Sequence, residues 1–369
     1  MDISRMSSVR FRPDYFRCRL NPVSENFSIG RKPSTLRLCS AAADPIQFTI
    51  EIENNNNIKN NDNNRMFILG IGYVGEFFAQ DLINQGWVVS GTCTSVDKKD
   101  RLKKLGLNVH LFDANHPQTE VLNILNRHTH LLVSIPTYKD IGDPMLPHVE
   151  LLKKNLSNEH LQWLCYLSTT SVYGDCGGAW VDEKYQPNPS NELSKLRLAA
   201  EEGWLSLGHD LGVATHVFRL GGIYGPRRSA IDTIIKKGPT SDLQRVRSFK
   251  KYTSRIHVAD ICNALKSCIH KPSPGKIYNI VDDDPAPRTE VFSFASTLIN
   301  EKWPSRMKEA ASPATNESVT YERSSRGDKR VVNERMKKEL GVSLIHPSYR
   351  SGLQSICDQL DDSLPSSSC

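Results

Sequence analysis

No apolar run in the 369-residue chain approaches the ~18 residues that a membrane-crossing helix requires, so no membrane partner is expected. Its nine cysteines (Cys18, Cys39, Cys93, Cys165, Cys176, Cys262, Cys268, Cys357 and Cys369) form no CxxC pair and no framework spacing. That absence argues against a zinc centre or a disulfide scaffold, leaving reduced thiols that mostly pack, and no metal. A surplus of charge is also missing from most of the chain. The formal net charge is +6, but residues 1–43 hold eight basic side chains (Arg5, Arg10, Arg12, Arg17, Arg19, Arg31, Lys32, Arg37) against three acidic ones (Asp2, Asp14, Glu25). Everything from residue 44 onward is therefore nearly balanced. Phosphate binding needs a surplus of Lys and Arg, so a nucleic-acid partner is not expected.

What the first 43 residues do have is Arg and Ser, and they lack the continuous apolar core of a secretory signal. They end in Leu36-Arg37-Leu38-Cys39-Ser40-Ala41-Ala42-Ala43, which resembles a stromal processing site. The expectation is a transit peptide, to the chloroplast stroma ahead of the mitochondrion. Eight of the eleven residues from Asn54 to Asn64 are Asn, a composition that cannot build a core, so 44–64 reads as a linker and folding should begin near Arg65.

The next stretch organises the remainder. Met66-Phe67-Ile68-Leu69 is a short apolar run, Gly70-Ile71-Gly72-Tyr73-Val74-Gly75 supplies G-x-G-x-x-G, and Glu76 to Ile83 carries the apolar spacing of an amphipathic helix. Strand, tight turn and helix in that order form a dinucleotide cradle. The first glycine reverses the backbone, the second leaves room for a pyrophosphate, and the third lets helix and strand approach. The N–H groups at the helix start, with Tyr73 and Val74 among them, then face the phosphates.

Further strands are predicted at Trp87–Cys93, Val109–Asp113, His130–Ser134, Trp163–Ser168 and Val213–Phe218, separated by helical stretches. This alternation predicts an α/β fold, a doubly wound parallel (Rossmann) sheet with ligands at the carboxyl ends of its strands. Ser134 and Gly221 fall at two such ends. No Asp or Glu occurs from Leu82 to Val96, where an NAD site would place an acid on the ribose 2′-hydroxyl. Thr94 and Ser95, with Lys98, Lys99 and Arg101 beyond, suit the 2′-phosphate of NADP, with NAD the alternative. Asp113 is placed either to meet the adenine edge or to cap a helix.

Four later segments carry a family likeness: Ser168-Thr169-Thr170-Ser171-Val172-Tyr173-Gly174; Arg219-Leu220-Gly221-Gly222-Ile223-Tyr224-Gly225-Pro226; Arg255-Ile256-His257-Val258-Ala259-Asp260; and Tyr278-Asn279-Ile280-Val281-Asp282-Asp283. With them, residues 66–355 resemble the extended short-chain dehydrogenase/reductase superfamily of NAD(P)-binding, epimerase/dehydratase-like proteins. Within it the tail elements Lys329-Arg330-Val331-Val332-Asn333 and Pro347-Ser348-Tyr349 resemble the atypical branch containing bacterial YeeZ and its plant relatives. The resemblance implies a Ser/Thr, Tyr and Lys site in which Tyr moves the carbonyl proton and Lys holds the nicotinamide ribose. Thr169 falls on the hydroxyl position and Lys195 on the lysine, but Asn191 stands where the family has Tyr. An amide cannot exchange a proton near neutral pH, so Tyr173, Tyr138 or Tyr185 would have to supply the acid, or the substrate needs no enzyme acid, or the fold binds cofactor without turnover.

Arg219, with the backbone at Gly221-Gly222, is expected near the nicotinamide end, while His257 and Asp260 read as a structural brace. A substrate lobe is expected at 227–252 and 285–360, before a disordered tail at 361–369, with Arg227, Arg228, Lys236, Lys237, Arg326, Lys329 and Arg330 either meeting an anionic substrate or, for most of them, lying on a solvated face. The combined expectation is an NAD(P)-dependent oxidoreductase acting on a small carbonyl or sugar-nucleotide-like substrate, with a homodimer as the assembly. The alternatives are a nucleotide-sugar epimerase or dehydratase and a non-catalytic sensor or assembly protein.

Overall fold

The computed structural model describes residues 64–157, 160–236, 251–304 and 328–360. The leader, almost all of the Asn-rich linker, Lys237, Arg326 and the 361–369 tail lie outside the described residues. In chain order the elements are β1 (Arg65–Leu69), α1 (Tyr73–Asn84), β2 (Val88–Cys93), α2 (Val96–Lys103), β3 (Asn108–Leu111), α3 (Thr119–Leu125) and β4 (His130–Val133). Then follow α4 (Val149–Leu156), β5 (Trp163–Thr169), β6 (Trp180–Val181), α5 (Glu192–Asp210), β7 (Ala214–Leu220) and β8 (Gly222–Tyr224). The chain continues with α6 (Ala230–Ile235), β9 (Arg255–His257), α7 (Val258–His270) and β10 (Lys276–Ile280). It closes with α8 (Arg288–Lys302), β11 (Arg330–Val331), α9 (Glu334–Leu340) and α10 (Tyr349–Gln359).

Seven strands form one parallel sheet in the order β10-β7-β5-β4-β1-β2-β3. The strands read as continuous apolar runs because both faces are covered. In β1, Met66 and Ile68 point into one core with Phe78 of α1, Leu102 of α2 and Ile261 of α7. Phe67 and Leu69 point into the other, with Val121 of α3, Leu152 of α4 and Trp204 of α5. This is the doubly wound fold expected from the spacing. Since every strand of the sheet runs the same way, all their carboxyl ends lie along one edge.

A third apolar cluster makes the lobe: Tyr224, Ile231 of α6, Ala295 and Leu298 of α8, and Leu353 and Ile356 of α10. Two parallel pairs, β8 with β9 and β6 with β11, join it to the sheet. One boundary differs from expectation. Met336 and Leu340, four residues apart on α9, pack with Val342 into the core under α1 and α7, so residues 334–342 belong to the dinucleotide-binding half. The sixth predicted strand is the seventh in sequence, because the two-residue β6 is too short to leave a periodic signal.

Near the amino ends of the strands the rings of Trp87, His130, Trp163 and His216 pack in a row at centroid spacings of 4.9, 6.0 and 6.0 Å. Burial lowers the pKa of both histidines, from 6.5 to about 4. His216 is fixed as neutral, since its Nε2 accepts the Ser273 N–H at 2.9 Å. Between pH 6.5 and about 4 the unfolded chain binds protons that the folded chain does not, so stability falls as pH falls through that window. Urea unfolding should show this loss, with a shallower slope in His216→Gln; a flat profile from pH 7 to 4 contradicts it.

Candidate active site

The three glycines of the first turn do three separate things. Gly70 has φ +87°, a conformation that side chains disfavour, and its N–H donates to Thr92 Oγ1 at 2.8 Å while Ile71 N–H donates to the Thr92 carbonyl at 2.7 Å. Gly75 carries no side chain where a Cβ would sit 3.1 Å from Ile68 Cγ2, which brings α1 against β1. At Gly72, the N-cap of α1, a Cβ would meet nothing within 4 Å. Gly72 is thus spared a side chain by nothing inside the protein. Open space at a helix start, where N–H groups lack intrahelical acceptors, fits a dinucleotide pyrophosphate.

The predicted cofactor positions come to the same edge: Gly70 after β1, Thr94 and Ser95 after β2, Asp113 after β3, Ser134 after β4, Thr169 ending β5 and Gly221 after β7. Thr94 and Ser95 are exposed and Ser134 half-buried. Val74 is buried and packs into the core below. Asp113 makes a local turn, accepting Asn115 N–H and pairing with His116, both at 3.0 Å. Arg101 is committed elsewhere: its guanidinium bonds both Glu76 oxygens at 2.8 Å. Burial alone would raise the Glu76 pKa, but Arg101 and Arg227 outweigh it and hold the carboxyl below the usual range.

Tyr73 ties this loop to the lobe. Its hydroxyl donates to the Pro226 carbonyl at 2.9 Å, and the Arg228 guanidinium lies 5.3 Å from its ring centroid. Arg227, with φ +68°, is the single non-glycine residue at positive φ among those described, and it reaches Glu76 at 3.4 Å. Gly225 lets the turn close, since a Cβ there would lie 2.6 Å from the Tyr73 hydroxyl.

Beyond the turn opens a cavity of about 600 Å³ between the carboxyl ends of β5 and β7 and the lobe. Thr169, Ser171, Gly221 and Gly222 line its sheet side; Tyr224, Ser229, Tyr252, Phe292 and Tyr349 line the lobe side. The Thr169 and Ser171 hydroxyls are 3.0 Å apart. Arg227, Arg228, Lys236, Arg255, Arg288 and Lys329 also line the cavity, with Asp232 the one acid among the described lining residues. Of the lobe cations named from the sequence, Arg227, Arg228, Lys236 and Lys329 thus line the cavity, the placement an anionic substrate would call for. Arg255 and Tyr252 were not singled out from the sequence, because nothing in their local pattern shows that β9 reaches the strand ends.

Five residues singled out from the sequence lie away from the cavity. Asn191 is the N-cap of α5, its side chain accepting Ser194 N–H at 3.0 Å. Lys195 lies exposed on the first turn, 3.9 Å from Glu192, and does not line the cavity. Tyr173 is fully buried outside the cavity lining and its hydroxyl donates to Asn279 Oδ1 at 2.8 Å, so it presents no proton to the cavity. Tyr138 and Tyr185 are exposed and outside the cavity lining. His257 and Asp260 act as braces: the His257 ring accepts Ala259 N–H, while Asp260 accepts Ile345 and His346 N–H at 2.5 and 3.1 Å.

Arg219 turns away from the cavity. It is 3% exposed and pairs with Glu201, 1% exposed, at 2.7 Å, while Ser168 Oγ donates to the same carboxylate. Gly221, likewise, makes room for protein, since its Cβ would lie 3.0 Å from the Ser254 carbonyl. Removing one member of a buried ion pair leaves an uncompensated charge, so Arg219→Met should cost about 3–5 kcal/mol. Urea unfolding of Arg219→Met and of the double variant with Glu201→Leu checks this: the double variant should be the more stable.

A glycine-cradled helix start, parallel strand ends and a lobe closing over them define a dinucleotide-binding α/β protein. The chain belongs to the NAD dependent epimerase/dehydratase family, whose profile matches residues 66–281. It is 27% identical over 222 residues to Protein YeeZ of Escherichia coli K12, covering 58% of this chain and 77% of that protein. The structure of a functionally unknown conserved protein from Silicibacter pomeroyi is 32% identical and superposes with a TM-score of 0.65, covering 81% of this chain and 100% of that one. UDP-glucuronic acid 4-epimerase from Bacillus cereus, solved with NAD, shares the fold at 16% identity and a TM-score of 0.61, over 80% and 96% of the two chains.

Proposed function

We propose that the protein is a dinucleotide-dependent oxidoreductase acting on a small carbonyl or sugar-nucleotide-like compound that carries negative charge. The observation that carries this reading is the empty space over Gly72, facing the helix start, on the same strand-end edge as the cation-lined cavity. Gly70, Gly72 and the first turn of α1 would hold the pyrophosphate, Thr94 and Ser95 the adenosine ribose, and Ser134, Thr169 and Gly221 the nicotinamide side. The bound dinucleotide supplies hydride chemistry. The chain supplies the substrate's place: Thr169 and Ser171 present hydroxyls to its oxygen, and the lobe cations draw in its charge.

The acid-free segment from Leu82 to Val96 supports NADP, while the pairing of Arg101 with Glu76 removes one cation that NADP would use. The bacterial epimerase solved with NAD supports NAD as the alternative. Epimerase or dehydratase chemistry, which returns the hydride to the substrate, is the second reading, favoured by the family itself.

Because nothing in the protein occupies the space over Gly72, Gly72→Val should leave the thermal midpoint unchanged while abolishing NADH and NADPH binding by calorimetry. Retained binding in the variant, or no binding by the wild type, overturns the reading. The Arg- and Ser-rich leader supports delivery to the chloroplast stroma. Isolated chloroplasts should import the full chain and shorten it near residue 43; a full-length protein left outside the organelle contradicts this.

A further inference from the structure

The family chemistry calls for a lysine at the substrate, and the one in the family position stands exposed on α5. Two other lysines line the cavity: Lys236, exposed at the end of α6, and Lys329, which is buried. We propose that Lys329, carried on the segment entering β11, is the residue that binds the substrate's carbonyl or anionic oxygen, together with the hydroxyls of Thr169 and Ser171. This rests on the reading of the cavity as the substrate site.

Lys329 is about nine-tenths buried, yet its side chain is part of the cavity wall. Its Nζ donates to the Gly174 carbonyl at 3.0 Å, which holds the ammonium against the loop that starts at Thr169 and Ser171. Its neighbours on both sides are pinned. The Asp328 N–H donates to Asp175, the Asp328 carbonyl accepts Cys176 and Gly178 N–H, and its carboxylate accepts Lys251 N–H at 2.9 Å. On the other side, Arg330 N–H donates to the Ala179 carbonyl at 2.9 Å, and its guanidinium lies between Trp180 and Tyr252, 4.9 and 4.7 Å from their ring centroids. Residues two apart in extended chain share a face, and Lys329 and Val331 line the cavity together while Arg330 points the other way. A long, flexible side chain is thus delivered to one place by a backbone that has none of that freedom.

Of the other lining cations, Lys236 is exposed at the C-cap of α6 and the four arginines make protein contacts. Arg255 donates to the Thr253 and Ala286 carbonyls, Arg227 pairs with Glu76, Arg228 lies over Tyr73, and Arg288 lies 4.1 Å from the Phe292 ring centroid. They set the positive field. Lys329 lines the same cavity as the paired hydroxyls of Thr169 and Ser171, where the substrate oxygen would bind.

Pyridoxal 5′-phosphate, an aldehyde bearing a phosphate, tests this on the full-length protein. An amine attacks the aldehyde carbon, water leaves, and borohydride reduces the C=N bond to a secondary amine that peptide mass spectrometry locates. A site that concentrates anions should label Lys329 about tenfold faster than Lys195, and inorganic phosphate should suppress labelling at Lys329 but not at Lys195. Equal rates at the two lysines, or labelling of Lys329 that ignores phosphate, overturn the proposal. In Lys329→Arg the labelled cavity peptide should vanish while the thermal midpoint and NADH binding persist; a variant that unfolds or loses NADH marks Lys329 as structural. Wild-type protein that binds no dinucleotide defeats the functional reading instead, whatever the labelling shows.

Discussion

The close approach of α1 to β1, permitted by Gly75 against Ile68, is the constraint on which the remaining architecture rests. It places the first turn of α1 at the strand-end edge, where that turn serves three neighbours. Glu76 anchors α2 through Arg101 and the lobe turn through Arg227, and Tyr73 holds the same turn by a hydrogen bond to Pro226. The helix whose opening lies free of side chains over Gly72 is thus also the post on which the lobe hangs. Any side chain at Gly75 would push against both.

The parallel sheet and the glycine cradle were legible because both are local: apolar runs, helical spacing and three glycines within six residues. The cavity was only half legible. Thr169 and Gly221 were found because they end strands, and strand ends in a parallel sheet share an edge. The lobe cations were offered to an anionic substrate or, for most, to solvent, since a basic residue in a loop has no periodicity to mark it as inward-facing. The Arg219–Glu201 pair was invisible, because its members lie 18 residues apart on different elements that meet only once the sheet forms. Lys329 is harder still: its contact with Gly174 spans 155 residues.

The site differs from its family where the sequence already did. With Asn191 spent on capping α5 and Lys195 out in solvent, the helix that would carry the reactive pair carries structural work and an exposed charge. The polar chemistry instead faces the cavity from the end of β5, from β9 and from the segment ahead of β11. Tyr173 shows how an apparent substitute is lost: its hydroxyl meets Asn279, whose side-chain amide in turn donates to the Val332 carbonyl. That tyrosine joins the central sheet to the tail and has no face left for a reactant.

The stretch matched by the family profile ends at residue 281, yet the fold does not. α9 seals one face of the central sheet, Asp260 grips the backbone at 345 and 346, and α10 completes the lobe. A nascent chain therefore emerges from the ribosome with its dinucleotide half unroofed until the last few dozen residues are made. Completion comes late, from residues 334–360, which supply side chains to both the sheet core and the lobe core.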